Sequence, residues 1–229
     1  MDLDAVMKKF DRESNVRVWD GVPKIIVTCI LATFSLFCIY VTLFTTWLEE
    51  IRLTSFMAFI IFIGYLVFPP TKGKQKVNHI AWYDIILMLM GSGAFLYYTF
   101  GAYGIIGQGS IFEWWQILIA IGGIASLAEL CRRSVGLPIL IVAGALVVYA
   151  LTVGLNNPTI MGKLNYMVSY LFYSKEGIIS TPVNVCSKFI VVFIIFGAFL
   201  ERTGIANFFI SLANRVAGWS SGGPAKVAV

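Results

Sequence analysis

Six apolar runs separated by short polar connections account for most of this chain. They cover residues 25–47, 53–68, 85–106, 114–130, 135–155 and 187–200. A hydrocarbon layer about 30 Å thick needs roughly 20 apolar residues in a helix that rises 1.5 Å per residue, so most of these runs can cross it. Because backbone in lipid must satisfy its own hydrogen bonds, the sequence predicts an all-α, polytopic transmembrane helical bundle of about six spans.

The composition agrees with an integral membrane protein. Of 229 residues, 59% are hydrophobic and 13% are charged, whereas a soluble domain carries roughly 25% charged residues. The net charge of +5 lies in short segments beside the apolar runs, without a basic stripe that alternates with aromatic residues. This pattern is typical of topology signals and argues against nucleic acid as a partner. We therefore predict that the chain is embedded in a lipid bilayer.

The positions of the basic residues predict the orientation. Thirteen of the 17 Lys and Arg residues fall in the first 24 residues and in the alternate connections on the same side, and three fall on the opposite side. Cytoplasmic flanks carry such an excess. Residues 1–24 mix both signs of charge, unlike a cleavable signal peptide, and are predicted to be a cytoplasmic lead-in. Six crossings would return the chain to the cytoplasm.

Two shorter segments have amphipathic patterns that predict helices lying in the membrane interface. The apolar stripe of residues 159–173, on the outer side, consists of Ile160, Leu164, Met167, Val168 and Leu171. The stripe of residues 205–218 consists of Ile205, Phe208, Phe209, Leu212 and Val216.

The third and fourth runs carry small residues that let neighbouring helices approach closely. In the third run these are Gly91, Ser92, Gly93, Gly101 and Gly104, and in the fourth they are Gly122, Gly123, Ala125, Ser126 and Ala128. The sequence therefore predicts helix packing through these two faces.

No catalytic constellation is present in the sequence. His79 is the single histidine and follows a Lys-rich connection, so we predict a loop role for it rather than a part in a zinc site or a His-based triad. The chain has no GxxxxGK[ST] loop for ATP phosphates, and its four cysteines form no CxxC pair. We therefore predict neither enzyme activity nor a bound cofactor.

Four ionisable residues lie at the predicted cytoplasmic ends of the spans. Asp84 precedes the third run, and Glu129 ends the fourth run close to Arg132 and Arg133. Charges at such positions either form structural ion pairs or take part in ion coupling. The proximity of opposite charges favours structural ion pairs for all four residues.

Four further charged residues are candidates for function. Lys188 lies inside the last run and could contact an anionic substrate, although its long stem could equally reach the interface. Lys163, Lys175 and Glu176 lie on the predicted outer side, where a periplasmic partner could dock.

Four motifs carry a resemblance to a known family. They are AELCRRSVG at 128–136, EGI at 176–178, FGAFLERTG at 196–204 and GGPAKVAV at 222–229. Together they resemble the fused membrane component of a tripartite ATP-independent periplasmic (TRAP) transporter, and most closely the TAXI type. In that type a small four-helix subunit is joined to a large permease.

The resemblance implies a secondary transporter in a bacterial inner membrane. Such a transporter imports organic anions that a periplasmic substrate-binding protein delivers, driven by a gradient of Na⁺ or, in some members, of protons. Residues 25–133 would be the small-subunit-like domain, 134–180 a connecting transmembrane helix with the outer interfacial helix, and 181–229 the start of the large permease domain. The chain would be the N-terminal portion of the component, with the ion- and substrate-binding hairpins beyond Val229 and the remainder of the permease as a partner.

Two other classes remain open on the sequence alone. A membrane scaffold or assembly subunit that transports nothing would need the same helices. A small membrane-embedded enzyme would need clustered His, Asp or Glu residues in the middle of the spans, and the sequence has none.

Overall fold

The computed structural model describes residues 16–70, 78–109, 112–153, 159–205, 208–209, 211–212 and 215. All regular structure in these residues is helical, which confirms the predicted all-α fold class. The helices are α1 (Val22–Phe44), α2 (Glu49–Val67), α3 (Trp82–Gln108), α4 (Trp114–Ser134), α5 (Leu137–Val153), α6 (Ile160–Leu171) and α7 (Thr181–Arg202). Within α7, Cys186–Ile190 forms a π-helical turn.

Five of the described helices are long and apolar enough to cross a membrane, namely α1 to α4 and α7. The apolar helix α5 is shorter, with 17 residues. By length and composition, the structure supports five of the six predicted spans. The remaining one, the predicted fifth span, corresponds to α5, which is apolar but shorter.

Two predicted boundaries are wrong. Helix α2 begins at Glu49, four residues before the predicted start of the second run, and α7 begins at Thr181 rather than at residue 187. In α2 the added turn contains the charged residues Glu49, Glu50 and Arg52. The predicted short crossing therefore becomes a helix of 19 residues.

The chain divides into two compact units, residues 1–184 and 185–229. The core of the first unit lies where α2, α3 and α4 meet. Leu53, Ile61 and Tyr65 of α2 pack there with Phe95 and Tyr98 of α3, and each of these side chains is at most 1% exposed. Burial of large apolar side chains along a central helix makes α2 the axis of this unit.

Small residues allow α3 and α4 to approach closely, as expected. A Cβ atom added at Gly91 would stand 2.3 Å from Ser126 Oγ, and one added at Gly123 would stand 3.0 Å from Ala94 Cβ. Gly93 and Gly104 differ, since no atom of the described structure lies within 4 Å of such a Cβ position. Only part of each predicted small-residue face therefore forms the contact.

Helix α1 packs on α2 through its second half. Its buried residues are Cys38 and Val41, and the Phe34 ring lies 5.7 Å from the Phe56 ring and 5.8 Å from the Phe59 ring. Residues of the first half are exposed, with Ile25 at 64%.

Helix α6 lies within the first predicted amphipathic segment. Val168 of its apolar stripe is fully buried, whereas Tyr166 and Tyr170 are exposed. Its location in a membrane interface stays a prediction.

In the second unit, the described residues after α7 are helical at Ile205, Phe208, Phe209 and Leu212, and these side chains are exposed. Val216 of this second amphipathic stripe and the GGPAKVAV motif lie outside the described residues.

Candidate functional site

Charged side chains of the first unit gather at the two ends of α2. At the carboxyl end of α2 lies a group that we call the Asp84 network, made of Arg17, Asp84, Glu129, Arg132 and Arg133. At the amino end lies the Glu50 network, made of Glu49, Glu50, Arg52, Lys175 and Asn184. These two networks are the strongest candidates for a functional site in the part of the chain that the structure describes.

Asp84 is the centre of the first network and is fully buried. Its Oδ1 lies 2.7 Å from Arg133 Nη2, and its Oδ2 pairs with Arg17 Nη2. Arg133 Nε also donates to Glu129 Oε1 at 2.8 Å, and Arg132 donates to both oxygens of Glu129 at 2.7 Å. The network therefore contains two carboxylates and three guanidinium groups, and every carboxylate oxygen contacts a cation.

The Asp84 network is fixed by neighbouring groups. The Arg133 guanidinium lies 4.9 Å from the centre of the Tyr65 ring, a favourable cation–π distance. The Tyr65 hydroxyl donates to Ser126 O at 2.7 Å, and Ser126 Oγ donates to Leu87 O at 2.7 Å. This chain of contacts connects α2, α3 and α4.

Arg17, a residue of the lead-in, also belongs to the network. This contact was not predicted from the sequence. Its amide donates to Val67 O at 2.9 Å, and its Nη1 donates to His79 O at 3.3 Å. Nearby, the Asn78 side chain accepts from the Asp20 amide at 2.9 Å and donates to Asp20 O at 3.0 Å. The lead-in is thus held to the start of α3. His79 contributes a backbone carbonyl here.

The geometry of the Asp84 network favours a structural role over ion coupling. A carboxylate that couples ions must be able to exchange its partner, whereas Asp84 lies between two buried arginines. A buried acid that lost its basic partners would be strongly destabilised. The four residues for which ion pairs were predicted therefore lie together, and Arg17 is a fifth member of the network.

The Glu50 network joins the start of α2 to residues far along the chain. Lys175 Nζ lies 2.9 Å from Glu50 Oε1 and 3.8 Å from Glu49 Oε2. Asn184 donates to Glu49 Oε1 and accepts from Arg52 Nη2, the latter at 2.7 Å. Hydrogen bonding to Glu50, with the charges of both glutamates, raises the pKa of the Lys175 ammonium above its ordinary value.

Residues 172–180, which we call the cap segment, bring Lys175 to this position. Phe172 is fully buried, its ring 4.9 Å from the Phe95 ring. A Cβ atom at Gly123 would stand 2.8 Å from the same Phe172 ring. The Tyr173 hydroxyl donates to Gln116 O at 3.0 Å, and Tyr173 O accepts from the Tyr98 hydroxyl at 2.9 Å.

The three candidate docking residues have different surroundings. Lys175 is half exposed but paired with Glu50. Lys163 Nζ lies 3.4 Å from Leu151 O, and Glu176 is exposed and raises the pKa of the nearby Tyr170 hydroxyl by accepting its hydrogen bond. Neither Lys163 nor Glu176 belongs to an ion pair among the described residues, so these two remain candidates for docking.

Lys188 lies in the π-helical turn of α7 and is exposed. No ion pair found among the described residues includes it. Insertions of this kind in a helix are frequent at functional positions. Lys188 therefore remains a candidate for an anion contact.

The described residues contain no group of three or more His, Cys, Asp or Glu side chains that could hold a metal ion. Five long apolar helices, with charge networks at the two ends of the central one, define an α-helical multi-pass membrane protein.

Residues 123–229 match the family model of the Tripartite ATP-independent periplasmic transporter, DctM component. The match covers just under half of the chain, begins inside α4 and takes in α5, α6 and α7. It supports a membrane component of a TRAP transporter. No curated protein and no solved structure matches the chain.

Proposed function

We propose that this chain is the scaffold part of the membrane component of a TRAP-type secondary transporter. The observation that carries the proposal is the match of residues 123–229 to the DctM component. The transporter imports organic anions, carboxylates in the first place, that a periplasmic substrate-binding protein delivers to a bacterial inner membrane.

We further propose the fused TAXI arrangement, with helices α1 to α4 as the small component. The connecting helix α5 and the interfacial helix α6 follow it, and the large component begins with α7. The turn between α4 and α5 at Gly136, whose φ of +111° favours glycine, supports a break after α4.

The charge networks support a static role for the first unit. Both ends of α2 are held by buried or half-buried ion pairs, and the cap segment is packed into the core. Alternating access moves one group of helices against a fixed group. Helices α1 to α4 suit the fixed group because their rearrangement would break several charge contacts at once.

An ion gradient supplies the energy in this proposal, with Na⁺ as the coupling ion. Each Na⁺ that enters across 100 mV provides about 2.3 kcal/mol, which an anionic substrate moving the same way partly offsets. In this proposal the ion sites and most of the substrate site belong to the rest of the permease, and Lys188 is the candidate contact from this chain.

The test is uptake of radiolabelled organic acids into proteoliposomes that contain the complete membrane component. We expect accumulation that needs both the binding protein and an inward Na⁺ gradient. A folded component that accumulates no acid under any ion gradient would instead support a non-transporting scaffold.

Lys188 is proposed as a contact for the anionic substrate. In the same assay we expect Lys188→Gln to raise the apparent KM for the acid about tenfold, a loss of ~1.4 kcal/mol, whereas Lys188→Arg keeps the charge and most of the uptake. Equal uptake by Lys188→Gln and the unchanged protein would reject this role.

A further inference from the structure

Helix α7 holds one residue more than a regular α-helix of the same length would hold. Cys186–Ile190 forms a π-helical turn, and the Val191 amide donates to Cys186 O, five residues earlier instead of four. The helix is α-helical on both sides of this turn, over Thr181–Val185 and over Val191–Arg202. The surplus residue is therefore confined to a single turn.

The part of α7 before the π-helical turn is anchored. The Asn184 side chain donates to Glu49 Oε1 and accepts from Arg52 Nη2 at 2.7 Å. Val183 packs against the core of the first unit, and Ile179, just before α7, is fully buried. The start of the helix therefore cannot turn about its axis without breaking these contacts.

The part of α7 after the π-helical turn has no comparable anchor. None of the residues Val191–Arg202 is buried. The side chains of Phe193, Ile194 and Phe199 are each more than 60% exposed. Lipid tails are as apolar as these side chains, so an apolar face loses little when it turns from one part of the lipid to another. No buried side chain of this segment therefore resists rotation about the helix axis.

We propose that the π-helical turn is a register switch for Val191–Arg202. The surplus residue migrates along the helix to its carboxyl end, because each step replaces an i→i−5 hydrogen bond behind it by an i→i−4 bond and does the reverse ahead of it. The number of backbone hydrogen bonds stays the same. After migration the segment has turned by about 100° about the helix axis, which is one residue of a helix with 3.6 residues per turn. The switch belongs to α7 alone and does not depend on the proposed transport activity.

The first test measures the distance between two nitroxide labels in the complete membrane component by pulsed electron paramagnetic resonance. The labels are attached to cysteines that replace the exposed Thr181 and Phe199, and the native cysteines are replaced, Cys186 by Ser and the others by Ala. We expect two distance maxima separated by roughly 3 Å or more, because the rotation carries one label around the helix axis. The matched control is a pair at Trp82 and Phe100 of α3, which are exposed, have the same spacing and should give one maximum. A single distance for the α7 pair, as narrow as that of the α3 pair, would overturn the proposal.

The second test removes the surplus residue. Deletion of Phe189, which is 56% exposed within the π-helical turn, should make this turn α-helical and leave one distance maximum for the same pair of labels in α7. Two maxima that persist in the deletion variant would show that they do not arise from the π-helical turn, and would reject the switch. If the deletion prevents folding, the comparison of the α7 and α3 pairs decides alone.

Discussion

Asp84 shows how a single charged residue can hold several helices together. Its carboxylate is fully buried and lies between Arg17 and Arg133. Removing one member of a buried ion pair leaves the other charges uncompensated, which is more costly than the pair itself is stabilising. Asp84 is therefore the residue of this network that tolerates substitution least.

We expect Asp84→Asn to destabilise the protein by about 3–5 kcal/mol, since two buried guanidinium groups would lose a counter-charge. Thermal unfolding of the purified protein in detergent measures the effect. Asp20→Asn is the control, because Asp20 is exposed and its described hydrogen bonds are made by its backbone. Equal melting temperatures for the two variants would contradict the structural role of Asp84.

Part of this network could be predicted from local sequence and part could not. Glu129 pairs with Arg132 and Arg133 at helix spacings of three and four residues, which the sequence displays directly. Arg17 and Asp84 are 67 positions apart, and nothing in the lead-in separates Arg17 from basic residues that serve only as topology signals. The pairing of Arg17 with Asp84 therefore depends on the three-dimensional fold and could not be predicted from the sequence.

At the scale of secondary-structure elements, the start of helix α2 shows the same limit of prediction from local sequence. Its first turn carries three charged residues and lies before the predicted apolar run, which begins at residue 53. Their partners are Lys175 of the cap segment and Asn184 of α7, more than 120 positions later. The helix can begin at Glu49 because the fold supplies those partners.

Exchanging the charges of Glu50 and Lys175 separates a structural role of this pair from a docking role. Lys175→Glu alone should lower the melting temperature, because it places a third acid beside Glu49 and Glu50. Adding Glu50→Lys should restore most of the stability. If Lys175 also contacts the binding protein, uptake should stay low in the double variant. Full recovery of uptake would show that Lys175 acts within the chain only.

The contact between α4 and the cap segment depends on Gly123. We expect Gly123→Ala to cost about 1–3 kcal/mol, because the added methyl group would stand 2.8 Å from the Phe172 ring. Gly93→Ala is the control and should be neutral or stabilising by up to ~1 kcal/mol, since no described atom lies near that position. Chemical denaturation in a mild detergent compares the two, and a stable Gly123→Ala protein would contradict this packing.

For the whole molecule, the length of the apolar runs was sufficient to predict an α-helical, multi-pass membrane protein. Run length predicts helices because lipid leaves no other way to satisfy backbone groups. The packing of the cap segment was not predicted: Phe172 and Tyr173 end the predicted amphipathic segment without belonging to its apolar stripe, yet both are buried in the core. Their burial depends on the gap at Gly123 and the hydroxyl of Tyr98, which local patterns do not reveal.

The predicted orientation places Glu176 outside the cell and Lys74 in the cytoplasm. Single cysteines at these positions, in a protein whose own four cysteines are replaced by Ala, should differ in reaction with a membrane-impermeant maleimide. We expect Glu176→Cys to react in intact cells and Lys74→Cys only after lysis. The opposite pattern would reverse the topology and exclude a periplasmic docking role for Glu176.

The ion pairs at both ends of α2 have a consequence for the bilayer itself. The 19 residues of this helix span about 28 Å at 1.5 Å per residue, close to the thickness of an average hydrocarbon layer. A helix that is free at its ends adapts to a thicker membrane by tilting, but α2 is tied to other parts of the fold at each end. We therefore expect the surrounding lipid, rather than a tilt of α2 alone, to accommodate most of a hydrophobic mismatch at this helix.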